Sequence, residues 1–487
     1  MQTLFQKVFS YVPRHTVLLG LLFAVLLFFG FWRISYSPAT WFDEGINMGI
    51  AQSLAEDWIF SLKIGPGQFV EERSFLITSN YPLIIPVALS LKFFGSGIGA
   101  ARIPMILYML LFSGTAYFFV RMVYHNKEAA LWTLVLIISF IPFYGNGKAA
   151  LGEVPGLSFL LLGVCAFYGA QGLRRFFVSG ILIGLSVATK PFFVLILPAV
   201  FVYEAYRFLK HKKGVLAQSL VFGAGLLPPL LIYFFIIMPE FSMAGLKETL
   251  DFYANSYAEA NIGGLVAGNA LRFLRESTPL HFLFLFLISG LSFIKRFRKG
   301  DFLSGSELIL FVFILLNVLW YLKTPGWYRY FFPAHLLLFL FFPFALFKLI
   351  GRTYALAILA CLVSLQTFLF IKKVDEPLYF SQEVQDMEMT VKDHVDFGSD
   401  ILMINSPSLA FLSDEFEIYQ YLQINPVLHF GVDGLENKNG NLFSYIVSGA
   451  SLSELRLANL ETTILESYRP TAQRGHYTLY ERTPDNK

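Results

Sequence analysis

Ten apolar runs recur along this chain, near residues 16–35, 102–120, 128–146, 154–172, 176–205, 216–238, 279–294, 305–322, 330–349 and 352–371. A helix needs about 20 residues to cross the hydrocarbon of a bilayer, and in lipid the backbone must satisfy its own hydrogen bonds. The runs therefore commit the chain to a polytopic α-helical membrane protein of about 10–11 transmembrane segments. Composition agrees, with 56% hydrophobic and only 15% charged residues. A net charge of +3 gives no ground for a nucleic-acid partner. Cys165 and Cys361 both fall inside apolar runs, which points to neither a disulfide framework nor a metal knuckle.

Basic residues between the runs set the topology, because positive loops stay cytoplasmic. Lys7 and Arg14, Arg121 and Lys127, Arg174 and Arg175, Lys210, Lys212 and Lys213, Lys295 to Lys299, and Lys348 and Arg352 mark the inner face. Loops 36–101, 147–153, 239–278 and 323–329 carry most of the acids and fall outside, as does the tail after Lys373. The expected setting is the inner (cytoplasmic) membrane, with a cytoplasmic N-terminus. The first run reads as an uncleaved helix, since Arg33 to Pro38 offers no small-x-small cleavage site.

Three segments depart from simple spans. Residues 36–101 make a long outer loop, in which Ile46, Ile50 and Leu54 at helical spacing predict a helix over 43–56, and Pro82 opens a second over 81–94. Between Arg175 and Arg207 both ends are basic, yet the stretch is too short for two full crossings. Two short helices broken at Thr189-Lys190-Pro191 fit, because proline cannot continue the helical ladder. From about residue 374 the pattern changes to strand-like runs at 401–404, 427–430, 445–447 and 477–480, with helix-like stretches at 382–394 and 408–422. The expected division is a membrane domain, 1–373, and a small extracytoplasmic α/β domain, 374–487.

The chemistry-bearing residues lie on the outer side. Asp43 and Glu44, behind Trp41 and Phe42, follow the first span. Carboxylates at that depth are costly unless they bind something or react; the plainer reading is that they charge the first turn of the 43–56 helix. Glu153 opens an apolar helix on the same face, with helix-start acid as its plainer reading. Lys190 sits at the helix break, where a lipid-linked phosphate would supply its anion and snorkelling to the interface is the alternative. Arg329, in Pro325-Gly326-Trp327-Tyr328-Arg329-Tyr330, is placed to grip a phosphate or to belong to an aromatic belt. Tyr81 and Arg102 complete the candidates, the latter as a phosphate contact or a helix-end anchor. His335 reads as a polar contact inside the bundle. Asp414, Glu415 and Glu417 read as a solvated helix face, and Gly65-Pro66-Gly67 as a turn.

The order of Trp41-Phe42-Asp43-Glu44, Tyr81-Pro82-Leu83, Ala101-Arg102-Ile103-Pro104, Gly147 to Pro155, Ala188-Thr189-Lys190-Pro191 and Arg329-Tyr330-Phe331-Phe332-Pro333 resembles the GT-C membrane glycosyltransferases. More narrowly it is similar to the bacterial branch related to protein O-mannosyltransferases and the lipid A aminoarabinose transferase, over about residues 15–350. The resemblance implies a hexosyl or pentosyl transferase. It would move a sugar from a polyprenyl-phosphate donor to a glycan, lipid or protein acceptor outside the membrane, usually with inversion. Asp43 and Glu153 would then be catalytic, with Asp43 the base. Glu44, Lys190, Arg329, Tyr81 and Arg102 would bind substrate. The family divides over metal dependence, so no cofactor is certain and a divalent metal on Asp43 and Glu153 is admitted. Related enzymes often carry Glu-Lys-Pro-Pro where this chain has Ser79-Asn80-Tyr81-Pro82, and an arginine near Asn47. The alternative class is a transporter or flippase for a lipid-linked sugar, which would use the same broken helix.

Overall fold

The computed structural model describes residues 14–71, 79–169, 172–211, 214–238, 242–245, 247, 261–299, 304–396, 398–412, 419–424, 429–431, 434–437 and 441–483. The basic markers Lys7, Lys212 and Lys213 and the acids Asp414, Glu415 and Glu417 lie outside them. The first helix, α1, spans Arg14–Phe31. The outer loop that follows holds α2 (Phe42–Glu56), a hairpin of β1 (Lys63–Gly65) and β2 (Gln68–Phe69), and α3 (Tyr81–Phe94). Both expected loop helices are present, and Pro66 and Gly67 form the hairpin turn. The bundle continues with α4 (Ile98–Tyr124), α5 (Lys127–Ser139), α6 (Ile141–Gly147), α7 (Glu153–Gly169), α8 (Arg174–Thr189) and α9 (Ile196–His211). It is completed by α10 (Val215–Ile237), α11 (Ile262–Arg275), α12 (Ser277–Arg298), α13 (Gly305–Tyr321), α14 (Tyr328–Ile350) and α15 (Arg352–Lys373).

Among the described residues 6 helices are long and apolar enough to cross a membrane, or 7 if the α5–α6 pair, bent by 67°, counts as one span. That is fewer than the 10–11 expected. The runs near 16–35, 154–172 and 305–322 fold as the shorter apolar helices α1, α7 and α13. Hydropathy counts the turns that flank a helix, so run length overstates helix length there. The expected break is present: α8 ends at Thr189, Lys190 is extended, and a 3-10 turn over Pro191–Leu195 leads into α9. The second half is longer than anticipated, running past Arg207 to His211.

Charge segregates along the bundle. At one end Arg296 of α12 pairs with Glu307 of α13 and stacks on Phe344, which in turn stacks on Tyr124 at the end of α4. Arg352 pairs with Glu128 at that same end. Helices α8 and α10 pack closely there, because a Cβ on Gly180 or Gly225 would strike the partner backbone at 2.2 or 2.1 Å. The opposite end carries α2, α3 and the C-terminal region.

After α15, helix α16 (Glu383–His394) precedes a six-stranded sheet in the order β5-β4-β3-β6-β8-β7. The strands are β3 (Ile401–Ile404), β4 (Tyr419–Ile424), β5 (His429–Gly431), β6 (Tyr445–Ser448), β7 (Tyr468–Arg474) and β8 (Tyr477–Arg482), with short helices α17 (Pro407–Leu412), α18 (Leu452–Leu457) and α19 (Glu461–Ser467) between them. β3 is central and parallel to both β4 and β6. The helix expected over 408–422 is corrected: among the described residues of that stretch Pro407–Leu412 is helical, and Tyr419–Ile424 is a fully buried strand. Its aromatic and aliphatic side chains suit a sheet covered on both faces.

Period-2 alternation divides the sheet. Leu402, Ile404, Leu422 and Ile446 face a core of their own with Phe443 and Leu455. Ile401, Met403, Tyr419, Tyr421 and Val447 face the other way, into a core shared with Ile46, Met48 and Ile50 of α2 and Leu83, Ile84 and Val87 of α3. The sheet and the outer loop are thus one packed body. Arg33 with Asp375, and Gln385 with the Ser35 carbonyl, tie it to the end of α1.

Candidate active site

Four of the sequence candidates form two carboxylate–cation pairs. Asp43, in the first turn of α2, meets Arg329, in the first turn of α14, at 2.5 Å. Arg329 is buried, and its guanidinium lies 4.8 Å from the Trp327 ring, 5.2 Å from Tyr330 and 5.7 Å from Trp41. Asp43 is the accessible partner, its side chain 35% exposed. This aromatic surround holds a guanidinium plane in place and leaves the carboxylate open.

The second pair is Glu153, at the first position of α7, with Lys190 at the break between α8 and α9. Local sequence explains why they meet. A Cβ on Gly152 would lie 3.0 Å from the Thr189 carbonyl, and one on Gly156 2.2 Å from the Phe193 ring, so only glycines let α7 approach the break this closely. Pro191 stops the helix and leaves Lys190 extended, aimed at the start of α7. The Glu153 carboxylate is near enough to the Arg329 guanidinium to attract it, more weakly than Asp43 does. Two polar atoms among these residues are buried without a partner, Glu153 Oε2 and Arg329 Nε. Buried polar atoms are usually satisfied, so these two are free to take a further hydrogen bond.

Glu44 and Arg102, expected at the substrate, are placed otherwise. Arg102 donates from Nε and Nη2 to the two oxygens of Glu44, at 2.8 and 2.7 Å, and from Nη1 to the Ile34 carbonyl at 2.9 Å. Glu44 also accepts from the Ala150 N–H at 2.9 Å. Both side chains are fully buried. They close on each other and fasten α2, α4 and the 148–152 loop together, offering a substrate nothing. Tyr81 likewise donates its hydroxyl to the Pro229 carbonyl of α10, at 3.3 Å.

A metal on Asp43 and Glu153 does not fit this arrangement. Each carboxylate faces a cation, and the described residues contain no group of three or more His, Cys, Asp or Glu that could hold an ion.

Three contributions escaped the sequence reading. Asn47 donates to the Ala150 carbonyl at 2.8 Å. Lys148, buried, donates to the Trp32 carbonyl at 2.8 Å and so caps the end of α1. Trp41 joins the expected aromatic neighbours of Arg329 from across the fold, 5.7 Å from its guanidinium. A lone lysine among small and apolar residues of an outer loop was the available signal for Lys148; for Asn47 and Trp41, nothing local revealed the partner. His335, expected as a bundle contact, bonds to His281 at 2.9 Å and Tyr328 at 3.0 Å.

Comparison with known proteins comes last. Residues 83–239 match the family described as dolichyl-phosphate-mannose-protein mannosyltransferase. The whole fold is similar to that of ArnT from Cupriavidus metallidurans bound to undecaprenyl phosphate, with a TM-score of 0.64 at 12% identity over 96% of this chain and 98% of that one. The apo state of the same protein gives 0.61 at 12% identity over the same shares. No curated protein sequence matches the chain. The molecule therefore shares the fold of this ArnT, and its 83–239 segment matches the dolichyl-phosphate-mannose-protein mannosyltransferase family.

Proposed function

We propose that this protein is a glycosyltransferase that moves a hexosyl or pentosyl group from a polyprenyl-phosphate carrier to an acceptor hydroxyl on the extracytoplasmic side of the inner membrane, with inversion. The observation that carries the reading is the meeting of Asp43–Arg329 and Glu153–Lys190 at the end of the bundle away from the basic loops. The comparisons support it through the mannosyltransferase signature and through a similar fold that holds undecaprenyl phosphate.

In this mechanism the donor phosphate lies against Lys190 and Arg329, drawing Arg329 away from Asp43 while Lys190 stays beside Glu153. Asp43, released, takes the proton of the acceptor hydroxyl as its oxygen attacks the anomeric carbon. The bond from that carbon to the phosphate oxygen breaks, and polyprenyl phosphate leaves with the electron pair. Lys190 and Arg329 stabilise the charge that develops on it. Glu153 holds Lys190 in place and, through its unpaired oxygen, receives a sugar hydroxyl. Asp43 and Glu153 are the catalytic residues, with Lys190 and Arg329 binding the phosphate. Glu44 and Arg102 act through α2, and no metal step is needed. The N-terminus is cytoplasmic and residues 374–487 extracytoplasmic, in keeping with the basic end of the bundle.

Purified protein supplied with a panel of labelled polyprenyl-phosphate sugars and membrane extract should transfer label to a lipid, glycan or protein. Asp43→Asn and Glu153→Gln should each lower that transfer by about 10²-fold or more. Labelled carrier crossing reconstituted vesicles with no donor consumed would replace the enzyme with a transporter.

A further inference from the structure

Three consecutive residues at the start of α2 face three different bodies. Asp43 meets α14, Glu44 meets α4, and Gly45 meets the C-terminal region. A Cβ on Gly45 would sit 2.6 Å from both the backbone nitrogen and the Oγ of Ser408, and 2.9 Å from the Pro407 carbonyl carbon. Ser408 belongs to α17, which leaves the sheet at the C-terminal end of β3. There the central strand has parallel neighbours on both sides, and in open α/β sheets this crevice ordinarily receives a ligand. Here α17 leads from it directly onto α2.

We propose that the C-terminal region mounts the Asp43 carboxylate, and that Gly45 and Ser408 are positioning residues for sugar transfer. The proposal rests on Asp43 being the base. Helix α2 is buried from Glu44 to Ser53, and its Ile46 and Ile50 share a core with Leu409 and Phe411 of α17. It cannot tilt without moving the sheet. Asp43 sits two residues before the Gly45–Ser408 contact, so the seat of α17 on α2 fixes where the carboxylate points. A methyl group at Gly45 meets backbone at 2.6 Å where ordinary contact begins at 3.4 Å. Backbone gives way less easily than a side chain, so α2 must shift by about 0.8 Å. A misplacement of about 1 Å in a catalytic group costs about 10²-fold in rate.

The test uses the full chain in nanodiscs, measuring turnover and, separately, binding of undecaprenyl phosphate as a probe of the phosphate contacts. Gly45→Ala and Ser408→Val press the same contact from opposite sides. Gly49→Ala, on the same helix, is the control: its Cβ meets only the movable end of the Leu62 side chain in the following loop. The expected result is a fall of about 10²-fold in kcat for Gly45→Ala and Ser408→Val with probe binding unchanged. Gly49→Ala should stay within about threefold of the parent. Parental turnover in Gly45→Ala overturns the proposal, as does an equal loss in Gly49→Ala. So does loss of probe binding with turnover in both contact variants, since the contact would then serve the fold at large. Asp43→Asn in the same assay keeps the two ideas apart: if it transfers sugar normally, the role of Asp43 fails whatever the glycine variants do.

Discussion

Replacing Arg102 with methionine tests whether the Glu44 pair is a fastener. The guanidinium donates two charge-assisted bonds to Glu44 and one to the Ile34 carbonyl, and both charged side chains are fully buried. Charge-assisted bonds contribute about 1.5–3 kcal/mol each, but the cost of drying both ions offsets much of that. Removing one partner is a different matter. Glu44 would be left as a buried anion with the Ala150 N–H as its main remaining donor, and breaking a buried pair in this way costs about 3–5 kcal/mol. Arg102→Met should therefore lose about that much stability in SDS titration of protein held in micelles. The double variant Glu44→Gln with Arg102→Met has no stranded charge and should recover most of the loss, a coupling of several kcal/mol between two residues that touch. If Arg102→Met lies within about 1 kcal/mol of the parent, or if the two changes simply add, the pair is not the fastener described here.

Other outcomes follow from the same geometry. Asp43→Asn should lower transfer by about 10²–10⁴-fold and also lower stability, because it leaves the buried Arg329 without its carboxylate; activity and unfolding measured on one preparation decide both. Lys190→Met strands Glu153, one of whose oxygens already lacks a partner, and should both destabilise the protein and abolish undecaprenyl phosphate binding, whereas adding Glu153→Gln should restore stability alone. Gly156→Leu should separate α7 from the helix break and mimic the loss of Lys190, read by the same binding assay. In the C-terminal region, burial raises the pKa of Asp400, but donors from the Ser444 N–H and Asn437 outweigh it and hold the carboxyl below its ordinary value. A lowered folded-state pKa contributes stability above the ordinary carboxylate range and loses it as pH falls toward the folded value. Proteolysis of residues 374–487 should accordingly rise on acidification below about pH 4, and Asp400→Asn should flatten that rise.

Much of this was legible in the sequence, for reasons that differ by residue. The helix break at Thr189-Lys190-Pro191 and the loop helix over 43–56 were readable because proline and 3.6-residue spacing act locally. The strand at Ile401–Ile404 was readable for the same reason, as a short apolar run between turn residues. Tyr419–Ile424 was misread because residues that alternate aromatic and amide suit helix or strand until neighbours on both sides bury them. At the site, residue types pointed to Asp43, Glu153, Lys190 and Arg329. Which carboxylate would take which cation was not legible, since the partners are 286 and 37 residues apart. Glu44 looked as reactive as Asp43 because adjacent helical positions differ only in the direction they face, about 100° apart. The fold turned one toward the opening and the other into the interior.

Two carboxylates facing two cations make a centre of no net charge. Such a centre projects little field into the water around it, so it cannot draw an anion from a distance as a basic cleft would. On the proposed reading, a donor phosphate would reach it by lateral movement in the lipid and be tested only on contact, when it would take the place of a carboxylate already bound. Selection then depends on how well the newcomer outcompetes an internal anion. Free inorganic phosphate, without a lipid tail to hold it at the bilayer, enters that competition at a disadvantage.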